Sequence, residues 1–370
     1  MQNSKDSGSS AYLSKLYAYI FMLTTVTALL VVRGALFYFE SWDYLSFLRD
    51  WVIEQRSMSF IKALGARIGD YNPPYMYILN IISRIDVSEL YLIKTVSVIF
   101  DFLLAFAIPT VILNSSMWGQ CDSIYTSFAV GSVYFALRGR GKTAYTFIAI
   151  ALSFKLQAAF ILPIFAVFVF TKKIRLMDCY MFFIVYFAML FPALLAGMPI
   201  NDLLSIYLKQ SDSYHLINLN SINIWQLVGN IEFMYFRVVA LFMCGSAVLG
   251  LLYYAYEKRD RLIRNVDFIR LAYLFAAFMP FLLPQMHDRF FYMADVLSLT
   301  VFLYDKRRWY VPVVAVFCSH IAYTYYLMEW AVLVDYKLAA LALMFMLLIV
   351  LRDLVISLSD EELSHRVSKG

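Results

Sequence analysis

The residues with the clearest chemical potential stand at breaks between long apolar runs, beginning with Asp43. This aspartate follows the first apolar run, at about residues 17 to 39, and aromatic residues Trp42 and Tyr44 flank it. A carboxylate that aromatic rings shield partly from water can take a proton from a substrate, as a general base does. A helix cap or a solvated charge would also explain an aspartate here. Asp43 is therefore a candidate general base, with both simpler interpretations left open.

A polar turn, Asp70-Tyr71-Asn72-Pro73-Pro74, leads into the next apolar run. Turn chemistry alone accounts for these residue types, and proline is favoured in the first turn of a helix. The side chains of Asp70 and Tyr71 could in addition orient a substrate hydroxyl. We therefore include both as candidate substrate-binding residues, although the turn is sufficient to explain them.

A denser polar run extends from residue 114 to residue 123 and includes Trp118, Gln120 and Asp122. Hydroxyls, amides and a carboxylate beside an indole ring suit sugar recognition, because a pyranose has an apolar face and a rim of hydroxyls. A capped loop would use similar residues. The three named residues are candidate substrate contacts, and the capped loop remains the alternative.

Two further breaks contain cations inside apolar surroundings. Lys155 is costly to bury unless it is paired or faces water, so it could bind a lipid phosphate. The alternative for this lysine is an ion pair with Asp101, which also lies within an apolar run. His287 and Arg289 could supply two more cations for the same phosphate, and an interfacial charge pair with Asp288 is their simpler explanation.

The composition predicts an all-α, polytopic membrane protein. Of 370 residues, 62% are hydrophobic and only 15% are charged, and the apolar runs alternate with short polar breaks. The formal charge of +5 does not indicate a nucleic-acid partner, because the lysines and arginines stand at helix ends rather than along one stripe. The chain contains no DxD triplet, Walker motif, HExxH motif or CxxC pair, so no metal site or cofactor is predicted, although divalent cations stay possible.

The basic clusters predict the orientation of the chain. Four of them, at residues 138–142, 172–175, 258–264 and 306–308, read as cytoplasmic by the positive-inside rule. Placing them on one side gives about twelve spans in a cell membrane with both termini inside. Every candidate residue above then faces outward. The prediction treats residues 1–370 as one transmembrane domain with three flanking segments: an external loop at 40–72 that holds an amphipathic helix, a second external segment at 199–232, and a cytoplasmic tail at 353–370.

Two apolar segments, 143–171 and 266–305, have basic clusters on both sides. If both clusters are cytoplasmic, each of these segments must enter the membrane and return to the same side. Each half of the segment is then well short of the ~20 residues that a full span needs. The polar tips would then lie below the membrane surface, with Lys155 and Gln157 at the first and residues 284–289 at the second. Such tips are tolerated where they line a cavity, so we expect a shared, outward-opening polar cavity.

The ordered set of polar segments resembles multispanning glycosyltransferases of the C-type fold that use polyprenyl-phosphate-linked sugars. The likeness is to bacterial relatives of the GPI-anchor mannosyltransferases and of the glucosyltransferases of N-glycan precursor assembly. The segments that carry it stand in family order: Trp42-Asp43-Tyr44 to Trp51, Asp70-Tyr71-Asn72-Pro73-Pro74, Asn114 to Tyr125, Ser153-Phe154-Lys155-Leu156-Gln157 with Pro163, and Met286-His287-Asp288-Arg289-Phe290.

The resemblance implies an inverting hexosyltransferase, with Asp43 as catalytic base and with Lys155, His287 and Arg289 near the donor phosphate. Its partners would be a polyprenyl-phosphate sugar, a glycolipid or polysaccharide acceptor, and membrane lipids. The Asp288-Arg289 pair departs from the Glu-Lys or Glu-Arg pair that the glucosyltransferases often show after the histidine. The segment around Trp118 also lacks their histidines, so the identity of the sugar stays open.

Two other functions fit an outward-facing site. A transporter or flippase of lipid-linked saccharides would usually show sequence repeats and a midplane site, and neither is evident. A polysaccharide polymerase or ligase shares the lipid-phosphate leaving group but usually depends on external arginines. The segment 199–232 has Lys209 as its one lysine or arginine, which favours the glycosyltransferase.

Overall fold

The computed structural model describes the backbone of residues 3–104, 107–211, 216–229, 233–329 and 334–359. Within these ranges the chain is mostly helical, with 78% helix and 17 α-helices. They are α1 (Asn3–Leu36), α2 (Arg49–Arg56), α3 (Phe60–Gly65), α4 (Pro73–Ile82), α5 (Glu89–Asp101), α6 (Pro109–Ile112), α7 (Asp122–Leu137), α8 (Gly141–Phe154), α9 (Pro163–Phe170), α10 (Tyr180–Leu195), α11 (Ile200–Ser211), α12 (Trp225–Val228), α13 (Phe233–Glu257), α14 (Asn265–Leu282), α15 (Tyr292–Tyr304), α16 (Tyr310–Met328) and α17 (Tyr336–Leu358).

Six helical segments in the described residues are long and apolar enough to cross a membrane. They are Tyr12–Leu36, Leu176–Leu195, Phe236–Glu257, Asn265–Leu282, Lys306–Met328 and Tyr336–Leu358. The predicted all-α membrane class agrees with this architecture, whereas the predicted twelve spans are not confirmed. Several predicted spans correspond to helices of 8 to 14 residues, such as α4, α8, α9 and α15, which are shorter than the ~20 residues of a full span.

Burial separates the central helix from the peripheral ones. In α14, 72% of the apolar stretch is buried, whereas the corresponding share for Tyr12–Leu36 of α1 is 6%. An apolar helix that other helices do not cover is stable where lipid surrounds it. The core therefore gathers around α14, and α1 presents most of its surface outward.

The four basic clusters lie together at one end of the molecule, here called the basic end. The Gly139 turn lies against the Lys173 carbonyl, and the Lys173 ammonium is 4.7 Å from the centre of the Phe268 ring at the start of α14. Arg261 donates to the Leu358 carbonyl at 3.0 Å, and Arg308 pairs with Asp353. The clusters that the sequence assigns to one membrane side therefore do share one end of the fold.

Four helices run from the basic end to the opposite end, here called the cavity end. These are α7, α8, α14 and α15, which have 13 to 18 residues and span roughly 20 to 27 Å at 1.5 Å per residue. Helix α8 stops at Phe154, because Lys155 is extended and a 3₁₀ helix follows it at Leu156–Ile161. The predicted break at this lysine is therefore present.

Two loop segments cover the cavity end. The helix predicted in the first loop is present as a π-helical turn, Tyr44–Leu48, that continues into α2. In the second segment, strand β1 (Asn218–Leu219) pairs in parallel with strand β2 (Met286–His287). This pairing joins the predicted second external segment to the tip between α14 and α15.

Two of the predicted flanking segments are partly helical in the structure. Helix α17 continues to Leu358 and so includes the first residues of the predicted cytoplasmic tail at 353–370, while residues 360–370 lie outside the described part of the chain. Asp353 belongs to the helix because its carboxylate is buried against Arg308. The segment 199–232 is partly helical through α11 and α12, while residues 212–215 and 230–232 lie outside the description.

Candidate functional site

A cavity of about 610 Å³ opens at the cavity end, between the first loop, the break after α8, the second segment and the tip before α15. Of the ten site residues proposed from the sequence, the eight that line it are Asp43, Asp70, Tyr71, Gln120, Lys155, Gln157, His287 and Arg289. The other two, Trp118 and Asp122, are buried behind the wall, where they contact lining residues. Residues from five separated segments thus meet at one space.

The Asp43 carboxylate is held by four side-chain donors. Its Oδ2 accepts hydrogen bonds from Trp118 Nε1 at 2.9 Å, Gln120 Nε2 at 2.5 Å and Arg289 Nη1 at 3.1 Å. Its Oδ1 accepts one from the Tyr326 hydroxyl at 2.7 Å. A carboxylate oxygen offers two lone pairs, so Oδ1, with one donor among the described residues, can accept another hydrogen bond from the cavity.

Aromatic packing fixes the donors around Asp43. The Trp118 ring stacks on Tyr326 with centroids 4.6 Å apart, and the Arg289 guanidinium lies 5.2 Å from the centre of the same indole. Gln120 is oriented in turn, because its Oε1 accepts a hydrogen bond from the Tyr71 hydroxyl at 3.1 Å. These contacts limit rotation of the side chains and so set the direction of the carboxylate.

A second acidic residue, Asp122, holds the cations of the cavity wall. Its Oδ1 pairs with the Lys155 ammonium, and both side chains are 2% exposed. Its Oδ2 accepts from Asn114 Nδ2 at 2.9 Å and lies 4.0 Å from Arg289 Nε. Arg289 therefore lies between the carboxylates of Asp43 and Asp122, and together with Lys155 these four charged groups form one buried network.

The alternative ion pair between Lys155 and Asp101 is not formed. Asp101 instead pairs with Arg33 of α1 at 2.6 Å, and both side chains are essentially buried. Ser115 completes this second network by donating a hydrogen bond to the same carboxylate. Asp101 and Asp122 thus pair with different cations, and Lys155 belongs to the cavity.

The tip between α14 and α15 places His287 and Asp288 in the cavity wall. Burial, with the positive charges of Arg289 and Lys155 nearby, lowers the pKa of His287 to about 3. The histidine is therefore neutral at pH 7, and it can offer a hydrogen bond rather than the positive charge predicted for it. Burial raises the pKa of Asp288 to about 7, opposed by Arg289 and assisted by Asp43.

Two further polar residues, Gln157 and Asp70, line the cavity. The Oε1 atom of Gln157 is buried and has no partner among the described residues. An unpaired buried polar atom is destabilising unless water or a ligand satisfies it. Burial also raises the pKa of Asp70, although its own backbone and the charges of Arg289 and Lys155 oppose the shift. Both residues can therefore interact with hydroxyls of a bound molecule.

Sequence reasoning missed part of the lining. Tyr326 lies in α16, and no local motif marks it as a donor to Asp43. The missed lining residues of the second segment and α13 are Gln210, Leu216, Asn218, Leu219, Asn220, Arg237 and Leu241. The segment 199–232 was singled out as external, but only the strand pairing with residues 286–287 shows that it closes the cavity.

The cavity combines three carboxyl groups, the side chains of Lys155, Arg237 and Arg289, amide groups and an apolar wall. Such a set can bind a polar ligand with an anionic group and can remove a proton from it. Within the described ranges, no group of three or more His, Cys, Asp and Glu side chains is arranged to hold a metal ion. Comparison with models of protein families, with curated proteins and with solved structures finds no match to the chain.

Proposed function

We propose that this protein is an inverting glycosyltransferase that moves a hexose from a polyprenyl-phosphate donor to a glycolipid or cell-surface polysaccharide. The observation that carries the proposal is the Asp43 carboxylate at the wall of a 610 Å³ cavity that Lys155 and Arg289 also line. A base and cations around one space are what direct displacement at an anomeric carbon requires. The resemblance of the five polar segments to C-type enzymes points to the same reaction.

In the proposed reaction, Asp43 Oδ1 accepts the proton of an acceptor hydroxyl. The freed oxygen attacks the anomeric carbon from one face, and the bond from that carbon to the phosphate oxygen breaks on the other. The electron pair of the broken bond leaves with the polyprenyl phosphate. Arg289 and Lys155 would stabilise this anion, and neutral His287 would donate a hydrogen bond to it.

The balance of charge in the cavity supports an anionic donor. Asp43 already pairs with Arg289 and Asp122 with Lys155, so further negative charge would weaken phosphate binding. Burial raises the pKa of Asp288 to about 7, and the protonated form of this residue adds no negative charge. The local environment thus keeps the cavity closer to neutral than its four aspartates would suggest.

The apolar part of the lining supports a lipid-linked donor. Leu216, Leu219, Leu241, Leu283 and Phe290 share the cavity with the polar residues. The first isoprene units of a polyprenyl chain would bury apolar surface against such a wall. We further propose that the cavity faces the outer side of the cell membrane, with the basic end and both termini in the cytoplasm.

The direct test replaces the proposed base. We expect Asp43→Asn to reduce hexose transfer by about 10² to 10⁴-fold, because the amide cannot take the proton. Asp50→Asn is the matched control, since Asp50 lies in the same loop but is exposed and does not line the cavity. Transfer is measured with purified protein in nanodiscs, a synthetic polyprenyl-phosphate hexose and a glycolipid acceptor.

Asparagine keeps the size of the side chain but removes the negative charge beside Arg289, so Asp43→Asn should bind the donor at least as tightly as Asp50→Asn does. Near-normal transfer by Asp43→Asn would remove Asp43 from the role of base. Movement of the lipid-linked sugar across the bilayer without a new glycosidic bond would support a transporter instead. Transfer of a preassembled glycan rather than one hexose would support a polymerase or ligase.

A further inference from the structure

A second pocket, of about 380 Å³, lies at the basic end, on the opposite side of the molecule from the cavity. It is formed where α14 and α17 meet the turn between α15 and α16. Five arginines dominate its lining: Arg264, Arg270, Arg307, Arg308 and Arg352. We call it the arginine pocket.

Positive charge exceeds negative charge in the arginine pocket. Among the described residues, the carboxylates that contact the five guanidinium groups are Asp267, Asp305 and Asp353. Within this part of the chain, the fold therefore holds five cations close together against three carboxylates. A cluster of this kind is stabilised when an external anion joins it.

Arg270, Arg307 and Arg352 each have more guanidinium N–H donors than their carboxylate partners occupy. Arg270 is 6% exposed, pairs with Asp267 and Asp305, and leaves its Nε without a partner among the described residues. Arg307 and Arg352 are more open, with side chains 84% and 61% exposed, and each contacts one carboxylate. An arginine has five N–H donors in a planar fork that matches the oxygens of a phosphate. These three side chains can therefore bind a phosphate without giving up their carboxylates.

The rim of the pocket is apolar. Tyr304 and Ile356 both line it and are 52% and 49% exposed, and the neighbouring Leu303 is 55% exposed. The pocket stands at the ends of three candidate membrane-spanning segments, Asn265–Leu282, Lys306–Met328 and Tyr336–Leu358. Lipid headgroups lie at the ends of membrane-spanning helices, beside the hydrocarbon layer. Basic pockets between membrane helices are suited to anionic headgroups.

We propose that the arginine pocket binds the phosphate of an anionic phospholipid, whose acyl chains cover Tyr304, Ile356 and the adjacent surfaces of α15 and α17. A free phosphate would use the same arginines but would leave the apolar rim uncovered. The lipid would link the basic ends of α14, α15 and α17 through one headgroup. This site is separate from the cavity and does not depend on the reaction proposed there.

The test measures lipid binding to the full-length protein in neutral detergent by native mass spectrometry. The probes are phosphatidylglycerol, phosphatidylcholine and inorganic phosphate. We expect the wild type to prefer phosphatidylglycerol to phosphatidylcholine by at least about tenfold, since each arginine near an anionic headgroup contributes. Inorganic phosphate at the same concentration should not displace the lipid.

Two double variants test whether the lipid binds in the arginine pocket. Arg307→Gln with Arg352→Gln should weaken phosphatidylglycerol binding by about tenfold or more, and both side chains are exposed enough for the fold to tolerate the change. Arg138→Gln with Arg140→Gln removes the same charge from exposed positions of the basic end outside the pocket, and should leave binding unchanged.

Several results would overturn the proposal. Equal binding of the two lipids by the wild type would do so whatever the variants show. Equal losses in the two double variants would indicate diffuse surface charge rather than a pocket. Displacement of the lipid by inorganic phosphate would assign the pocket to a soluble anion.

Discussion

The Asp43 carboxylate receives its hydrogen bonds from three distant parts of the chain. Trp118 and Gln120 precede α7, Arg289 precedes α15, and Tyr326 lies near the end of α16. Each donor limits the rotation of the acid, and Arg289 adds a charge that neutralises it. A sequence can show that an aspartate stands beside an apolar run, but the set of its partners depends on long-range packing.

The buried pair of Lys155 and Asp122 gives a test of the charge network. We expect Lys155→Met to lower the free energy of unfolding by roughly 3–5 kcal/mol, because it leaves a buried carboxylate without its cation. The double variant Lys155→Met with Asp122→Asn should be more stable than Lys155→Met alone. The free energies are measured by steric trapping in bicelles. A double variant that is less stable by the sum of the single losses would show that the two groups are not coupled.

The pKa of Asp288 predicts a dependence of donor binding on pH. Burial raises this pKa to about 7, so the carboxyl is increasingly ionised as the pH rises through neutrality. Affinity for a polyprenyl-phosphate hexose should then fall by about fivefold between roughly pH 6 and pH 8, the effect of ~1 kcal/mol of repulsion. The sugar phosphodiester stays a monoanion over this range, and His287 stays neutral because burial lowers its pKa to about 3.

Asp288→Asn should remove this dependence, because the amide does not titrate. Binding is measured by fluorescence titration of the protein in nanodiscs at each pH. An unchanged pH profile in the variant would show that another group is responsible.

At the scale of elements, short helices and their ends bring the site together. Helix α1 ends just before Asp43, and Lys94 of α5 fixes that end by donating to the carbonyls of Leu36, Phe37 and Phe39 at 3.1, 2.9 and 2.6 Å. A lysine in this role satisfies carbonyls that have no partner within the helix. The position of the candidate base thus depends on a residue of another helix.

We expect Lys94→Met to loosen the segment between α1 and Asp43, since three carbonyls lose the hydrogen bond from the lysine and the Leu36 carbonyl keeps its bond from Phe39 N. Hydrogen–deuterium exchange of peptides covering residues 36 to 44 should increase by at least about tenfold, the effect of losing ~1.4 kcal/mol of local stability. Peptides from α7 should change little. Lys62→Met, at an exposed position of α3, is the control, and equal exchange in the two variants would contradict the role of Lys94.

At the scale of the whole molecule, charge divides the fold into two ends. The basic clusters meet at one end, and α7, α8, α14 and α15 connect that end to the cavity. Arginine and lysine are retained on the cytoplasmic side of membranes. The distribution of charge therefore predicts that the basic end faces the cytoplasm and that the cavity faces the outer side of the membrane.

We expect a cysteine at position 54, an exposed site of the first loop, to react with a membrane-impermeant maleimide added to intact cells. A cysteine at position 140, at the basic end, should react only after the membrane is opened. Three of the four native cysteines are buried, and Cys179 is partly buried, so each variant is compared with the unmodified chain. Reversed labelling would invert the proposed orientation.

Much of the architecture could be predicted from the sequence, because each line of evidence was local. Long apolar runs indicated membrane helices, polar breaks indicated their ends, and basic clusters indicated one shared end. The break after Phe154 was also visible, since a lysine within an apolar run marks a place where a helix stops or meets a partner. The number of spans was harder to predict, because hydropathy does not distinguish a full crossing from a short, buried helix.

Only the tertiary structure decided which side chains meet. Lys155 pairs with Asp122 and not with Asp101, and Tyr326 reaches Asp43 across a separation of 283 residues. Composition and periodicity indicate whether a segment favours water or lipid, and both are properties of neighbouring residues in the sequence. A pairing between buried charges instead depends on distances set by the packing of many helices, so no single segment of the sequence contains it.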